Sequence, residues 1–104
     1  MMIDEINFNP GEIVYNDFHV KTDVPLDQQV FSLKEDMLQV HFQEGKYLID
    51  VGWYPSFEEN GRFKVFVIEN FDWEKPLLEE ESYSINELKM ALEKAIQFIK
   101  TKML

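Results

Sequence analysis

The segment between residues 38 and 68 alternates apolar and polar side chains, and this pattern constrains the fold more than any other feature. Residues 38–42 alternate Leu, Val and Phe with polar residues, Glu44-Gly45 supplies a turn, and Tyr47–Tyr54 runs on from it. A period of two is the repeat of a half-buried β-strand, and two such runs joined by a short turn form a hairpin. The sequence therefore predicts an antiparallel hairpin over residues 38–54.

A third strand is predicted over Phe63–Ile68, after a turn at Asn60-Gly61. The Asn-Gly pair adopts positive φ easily, which suits a tight turn between strands. Phe63, Val65 and Val67 would lie on one side of the strand, with Phe66 and Ile68 on the other. We therefore expect this strand at the centre of the sheet, with both of its faces partly covered.

The remaining strands are less regular. Leu77–Tyr83 predicts a fourth strand, and its three consecutive glutamates, at 79–81, suit an exposed edge. Residues 12–20 allow an additional amino-terminal strand. Residues 27–33 fit either a short helix or a strand, because their apolar residues follow neither period.

The carboxy-terminal segment predicts an amphipathic helix that ends near Lys102. Ser84-Ile85-Asn86-Glu87 has the S-x-x-E form of a capping box, in which the two side chains bind open amide groups of a first turn. Apolar residues then recur at three- and four-residue steps, which places them on one side of a helix. We expect the following residues to pack on the sheet: Leu88, Leu92, Ala95 and Ile99. Met90 and Phe98 widen this stripe and are expected in the core.

Strands followed by a terminal helix predict an α+β fold, in which the helix packs on one face of an antiparallel meander of four to five strands. We expect Val40, Ile49 or Val51, and Val65 to lie beneath the helix. The 104 residues predict a single domain over 1–104, since a second core would leave each half too little buried surface.

The charge of the chain favours some partners and excludes others. Twenty Asp and Glu against ten Lys and Arg give a net charge of −10. Residues 85–104 hold four lysines and two glutamates, a net of +2, which leaves −12 for residues 1–84. Such a surface repels nucleic acid and anionic membranes and attracts a basic partner. Because cysteine, a signal-peptide pattern and a membrane-spanning apolar run are all missing, we expect a cytoplasmic protein.

No residue pattern in the chain is typical of catalysis. His19 and His41 fall in predicted strands without a partner at metal-ligand spacing, and the acidic runs lack the ligand spacing and glycine of a calcium loop. The four glycines are isolated, so no phosphate-binding loop is predicted. We therefore expect a protein that is not an enzyme and that binds neither a metal nor a cofactor.

Two loops mix aromatic residues with carboxylates, which is how protein interfaces combine anchors with a charged rim. The predicted partner-binding residues in these loops and on the acidic edge are Tyr54, Phe57, Glu58, Glu59, Asp72, Trp73, Glu74, Glu79, Glu80 and Glu81. The loops leave the predicted strands at opposite ends, so they need not form one patch. The alternative is that Trp53, Tyr54, Phe71 and Trp73 close the two ends of the core. Trp53 shares the face of Val51 and is the residue expected in the core.

The stretch from Asp36 to Pro76, with the segments DMLQVHF, YLIDVGWYPSFEENGRFKVFVI and DWEKP, resembles small bacterial immunity proteins. These proteins are encoded beside polymorphic toxins, including those of contact-dependent growth inhibition. The resemblance implies a protein that binds one cognate toxin domain, often a basic nuclease, and blocks its active site or substrate groove. It assigns no individual binding residue. In such a complex we expect a monomer, or a weak homodimer of the free protein.

Two other functions are compatible with the sequence. The first is a homo-oligomeric regulatory domain whose exposed aromatic residues meet their symmetry mates. The second is a small-ligand-binding domain with a pocket between helix and sheet.

Overall fold

The computed structural model describes residues 2–104 and consists of one five-stranded sheet and one long helix. The strands are β1 (Glu12–Asn16), β2 (Leu38–Phe42), β3 (Tyr47–Tyr54), β4 (Arg62–Glu69) and β5 (Leu78–Ser82), and the helix is α1 (Ile85–Lys102). Short 3-10 turns lie at Met2–Glu5, Leu26–Gln28 and Val30–Ser32. The strands are antiparallel neighbours in chain order, so the sheet is a meander with β1 and β5 at its edges. The central strand is β3, so the expectation that Phe63–Ile68 would lie at the centre was wrong. The predicted α+β fold is confirmed.

The register of the sheet separates two faces. Val51 lies opposite Leu38 on β2 and Val65 on β4, and all three belong to the core that α1 covers. We call this side the helix face. The alternate residues of β3 point the other way because side chains alternate along a strand. We call that side the outer face, and on β3 it carries Leu48, Asp50, Gly52 and Tyr54.

The helix is fixed by its cap and by its buried stripe. Ser84 Oγ accepts a hydrogen bond from Glu87 N at 3.1 Å, and Glu87 Oε1 accepts one from Tyr83 N at 2.8 Å. All four predicted helix contacts, Leu88, Leu92, Ala95 and Ile99, are buried in the core with Val40, Ile49, Val51 and Val65. The expectation for Met90 was wrong, because this side chain is 71% exposed.

The amino-terminal third departs from the predicted strand. β1 ends at Asn16, whose Oδ1 accepts a hydrogen bond from Phe18 N at 3.1 Å, a local turn that competes with continued pairing. His19 therefore lies outside any strand and pairs with Asp17 at 2.8 Å. Residues 27–33, whose apolar residues follow neither period, overlap two 3-10 turns, Leu26–Gln28 and Val30–Ser32.

The turn between β3 and β4 forms for a different reason from the predicted one. Neither Asn60 nor Gly61 has a positive φ; in this loop that conformation falls on Phe57, at φ 65°. Gly61 is needed because a Cβ there would lie only 2.5 Å from Nε1 of Trp53. The indole Nε1 donates a hydrogen bond to Glu58 O at 2.7 Å, so the loop closes over a core tryptophan.

Candidate functional site

Part of the outer face is covered by the loop between β4 and β5, residues 70–77. Leu48 on β3 and its β4 neighbour Ile68 are both fully buried, although they lie on the side away from α1. The loop is held here by a hydrogen bond from Asn70 N to Lys46 O at 2.8 Å. The ring of Phe71 meets His41 edge-on at 5.8 Å between ring centres. The loop thus folds back across the sheet.

A groove of about 430 Å³ lies beside this covered region. Its lining residues come from the segment before β2, from β2, β3 and β4, and from loop 70–77: Asp36, Gln39, Asp50, Tyr54, Phe66 and Trp73. We call it the outer-face groove. A second cavity of about 280 Å³ shares Asp36, Gln39 and Asp50 and extends toward Tyr15 on β1. The volume of the outer-face groove falls in the range of about 300–1,000 Å³ that small-molecule sites occupy.

Asp50 is the charged group at the centre of this groove. Only 9% of the residue is exposed, and its Oδ1 accepts a hydrogen bond from Gln39 Nε2 at 3.3 Å. Gln39 Oε1 in turn lies 3.0 Å from His41 Nε2, an arrangement in which the amide nitrogen faces Asp50. Within residues 2–104, no lysine, arginine or histidine forms an ion pair with Asp50.

The electrostatic state of Asp50 follows from this environment. Burial raises the pKa of its carboxyl group above the ordinary value, the hydrogen bond from Gln39 works in the opposite direction, and nearby Asp36 raises it further. A buried carboxylate is costly unless a cation or several hydrogen bonds compensate it. Among residues 2–104, Asp50 accepts one side-chain hydrogen bond, from Gln39, and forms no ion pair.

Aromatic rings form the walls of the groove. The rings of Tyr54 and Phe66 meet nearly perpendicular, at 89°, with centres 6.5 Å apart. Trp73 is 48% exposed, so much of its indole is open to a partner. Burial raises the pKa of the Tyr54 hydroxyl, and Asp50 and Glu35 add to the effect. Aromatic walls around a carboxylate favour a ligand that is both flat and cationic.

Gly52 allows the segment before β2 to cross the outer face. Lys34 O accepts a hydrogen bond from Trp53 N at 2.6 Å, and Val51 O accepts one from Met37 N at 3.1 Å. Between these bonds the carbonyl of Glu35 lies so close to Gly52 that any Cβ would overlap it. Since glycine alone leaves this space, Gly52 determines where Asp36 lies at the rim of the groove.

The structure brings together two predicted residues from separate loops and excludes a third. Tyr54 and Trp73 both line the outer-face groove, because loop 70–77 folds back from its end of the sheet. Trp53 is 2% exposed on the helix face, as expected. Phe57 lies outside the groove, where its ring faces Phe31 at 6.5 Å between centres.

The predicted acidic residues divide into two groups. Every glutamate of β5 has a cation within the chain: Glu79 lies 3.7 Å from Lys64, Glu81 lies 2.8 Å from Arg62, and Glu80 pairs with Lys94. The other group forms no ion pair within the part of the chain that the structure describes, and its members are Glu58, Glu59, Asp72 and Glu74. These four are exposed and are the predicted carboxylates open to a partner.

Sequence reasoning missed four residues that line the groove: Asp36, Gln39, Asp50 and Phe66. One signal was present for Asp50. It is the only charged residue in the strand YLIDVGWY, and a charge inside an otherwise apolar strand requires either a partner or a function. The other three residues carry no comparable signal.

Other features of the molecule do not compete with this groove. A cavity of about 560 Å³ lies beside the start of α1, but its charged residues Glu5 and Lys89 approach each other at 3.9 Å. No group of three or more His, Asp or Glu side chains in residues 2–104 is arranged to hold a metal ion. Within the same residues, no helix has the length and apolar character of a membrane span.

No family model, curated protein or solved structure matches this chain. The resemblance to immunity proteins stays a prediction.

Proposed function

We propose that this protein is a cytoplasmic, non-enzymatic inhibitor that binds one basic protein domain and blocks its active site or substrate groove. In this role it serves as the immunity protein of a polymorphic toxin, and the partner is a nuclease-like domain with a cationic surface. The observation that carries the proposal is the outer-face groove, where aromatic walls surround a buried carboxylate without a cation.

The carboxylates in the groove and in the loop after β3 support this reading. Asp36 lines the groove and Glu35 precedes it, whereas the exposed Glu58 and Glu59 lie in the loop after Tyr54, where Glu58 O accepts a hydrogen bond from the indole of Trp53. None of these four carboxylates forms an ion pair within residues 2–104. Uncompensated charge of one sign steers a partner of the opposite sign and accelerates its association.

The direct test is co-expression with the basic carboxy-terminal domain of a toxin encoded immediately upstream in the genome. We expect a one-to-one complex by light scattering and loss of the toxicity of that domain. A matched pair of variants tests the electrostatic part. Glu58→Lys lies in the loop after β3, whereas Glu44→Lys makes the same charge change in the turn before β3, at the opposite end of the strand.

The kinetics of this complex provide the sharper readout. Raising the ionic strength from low to physiological should slow association markedly and change dissociation much less, because rim charges act mainly on the association rate. Glu58→Lys should slow association, and Glu44→Lys should leave it near the parent value. A toxic domain that is neither bound nor neutralised contradicts the proposed function, and an association rate indifferent to salt contradicts its electrostatic part.

A small-ligand-binding domain is the second candidate, because the volume of the groove suits a compact organic cation. The site lies on the outer face and not between helix and sheet, where a pocket was predicted. Thermal stabilisation of the isolated protein by a small amine, without neutralisation of any toxin domain, would favour this candidate.

A further inference from the structure

We propose that the outer-face groove receives one arginine side chain of the basic partner, whose guanidinium binds Asp50 and stacks against Tyr54 and Trp73. This inference rests on the proposed function and adds to it the residue type that the groove recognises. It also assigns Asp50, absent from the predicted interface, as the central contact.

The carboxylate of Asp50 is open to a donor on one side. Gln39 occupies Oδ1, whereas Oδ2 accepts a hydrogen bond from none of the described residues. No buried side-chain oxygen in residues 2–104 is left without a partner, so Oδ2 has access to solvent, and the residue that carries it lines the groove. A carboxylate with a fixed orientation and an open oxygen is suited to a charge-assisted hydrogen bond.

The walls favour arginine over lysine. A guanidinium is planar and weakly hydrated, so it can stack on an aromatic ring while its N–H groups bind a carboxylate in the same plane. Tyr54 and Trp73 supply such rings beside Asp50. A lysine ammonium is a strongly hydrated point charge and gains less from flat walls. The groove therefore combines a charge and a shape that one arginine satisfies together.

Lys64 lies close to the Tyr54 wall of the groove. Its Nζ lies 5.7 Å from the centre of the Tyr54 ring and 3.7 Å from the carboxylate of Glu79. Lys64 is thus directed toward the edge strand β5 and is not paired with Asp50. Because it shares one ring with the incoming guanidinium, Lys64→Met should strengthen arginine binding.

The two tryptophans provide a built-in reporter. The chain contains only Trp53 and Trp73, so the full-length protein labelled with ¹⁵N gives two indole resonances.

The probe is Nα-acetyl-arginine methylamide, and its comparator is the citrulline compound, which has nearly the same shape and no charge. At matched ionic strength we expect the arginine probe to bind with a dissociation constant on the order of millimolar, as one side chain should. It should shift Trp73 and leave Trp53, whose N–H is bound to Glu58, in place.

Two isosteric variants test the assignment of the carboxylate. Asp50→Asn should weaken binding of the arginine probe by about tenfold or more, since it removes the charge and keeps the shape. Asp27→Asn makes the same change at an exposed residue of the 3-10 turn Leu26–Gln28, outside the groove, and should leave the affinity within about twofold of the parent value. Equal binding of the arginine and citrulline probes, or equal loss in the two variants, would overturn the proposal.

The outcomes separate this inference from the proposed function. If the toxin domain is neutralised but the arginine probe does not shift Trp73, the groove assignment is wrong and the inhibitor function stands. If the probe binds and no toxin domain is neutralised, the groove recognises a guanidinium and the immunity function is wrong. A lysine probe that binds more tightly than the arginine probe would contradict the choice of arginine.

Discussion

Trp53 and Tyr54 are consecutive residues of β3 and lie on opposite faces of the sheet. Trp53 packs against Phe63 on the helix face, with ring centres 4.9 Å apart, and its indole hydrogen is bound to the β3–β4 loop. Tyr54 lines the outer-face groove with Phe66 and Trp73. One aromatic pair in the sequence thus serves both the core and the candidate site, because side chains alternate along a strand.

The first prediction concerns the pH dependence of stability. The raised pKa of Asp50 means that the folded protein holds this proton more tightly than the unfolded chain does. As the pH rises above 3.8, the ordinary value for Asp, the unfolded chain loses the proton first and the free energy of unfolding falls. The decrease stops once the pH exceeds the folded-state pKa. Ionisation of Asp50 is therefore expected to lower the free energy of unfolding at neutral pH relative to the protonated form.

Asp50→Asn should remove this effect and raise the free energy of unfolding at pH 7. The stabilisation should grow between pH 4 and pH 7 in urea titrations of both proteins. The other charged or titratable groups around Asp50 are the same in both proteins, and they are Tyr15, Glu35, Asp36, His41, Tyr54, Lys64 and Glu79. A variant that is less stable than the parent at pH 7 would show that the carboxylate stabilises the fold. A gain in stability with a loss of binding is typical of a functional residue.

The second prediction concerns the core beneath α1. Leu92 is fully buried, so Leu92→Ala should lower the free energy of unfolding by about 2–5 kcal/mol through lost burial and a residual cavity. Met90 on the same helix is the matched control, because Met90→Ala removes an exposed side chain and should change stability by less than about 0.5 kcal/mol. Chemical denaturation measures both. A Leu92→Ala loss below about 1 kcal/mol would mean that α1 does not pack as described.

The sequence predicted those parts of the fold that depend on local periodicity. β3 and α1 were predicted at or within one residue of their observed bounds, because one side of each is buried along its whole length. The edge position of β5 followed from its three glutamates. Trp53 was assigned to the core from the alternation of β3 alone.

The groove could not be predicted, because it depends on contacts between distant segments. Loop 70–77 carries no periodic pattern that would show it folding over Leu48 and Ile68. The position of Asp36 depends on the absence of a side chain at Gly52, which from the sequence is only an isolated glycine in a strand. Local pattern identified Tyr54 and Trp73 as candidates, and tertiary structure placed them in one site.

The third prediction concerns the segment that carries Asp36. Gly52→Ala forces a Cβ against the backbone carbonyl of Glu35, so the segment must move, and we expect a loss of about 1–3 kcal/mol in the free energy of unfolding. Ser56→Ala removes only the hydrogen bond from Glu35 N to Ser56 Oγ, at 3.0 Å, and should cost about 1 kcal/mol. Urea denaturation ranks the two. Equal and negligible losses would show that this segment is not held against β3.

The last prediction separates the groove from the neighbouring exposed aromatic pair. Tyr54 lines the groove, whereas Phe57 lies with Phe31, which is 85% exposed, on a different part of the surface. Tyr54→Ala should weaken the complex with the toxin domain by about 2 kcal/mol or more, because it removes one wall of the site. Phe57→Ala should weaken it by less than about 1 kcal/mol, since its ring does not reach the groove. Calorimetry measures the affinity of each variant for the toxin domain, and chemical denaturation measures its free energy of unfolding, so the two losses can be compared. If Phe57→Ala costs more binding than Tyr54→Ala, the Phe31–Phe57 pair is the anchor; if both lose binding only in proportion to lost stability, these aromatic residues serve packing.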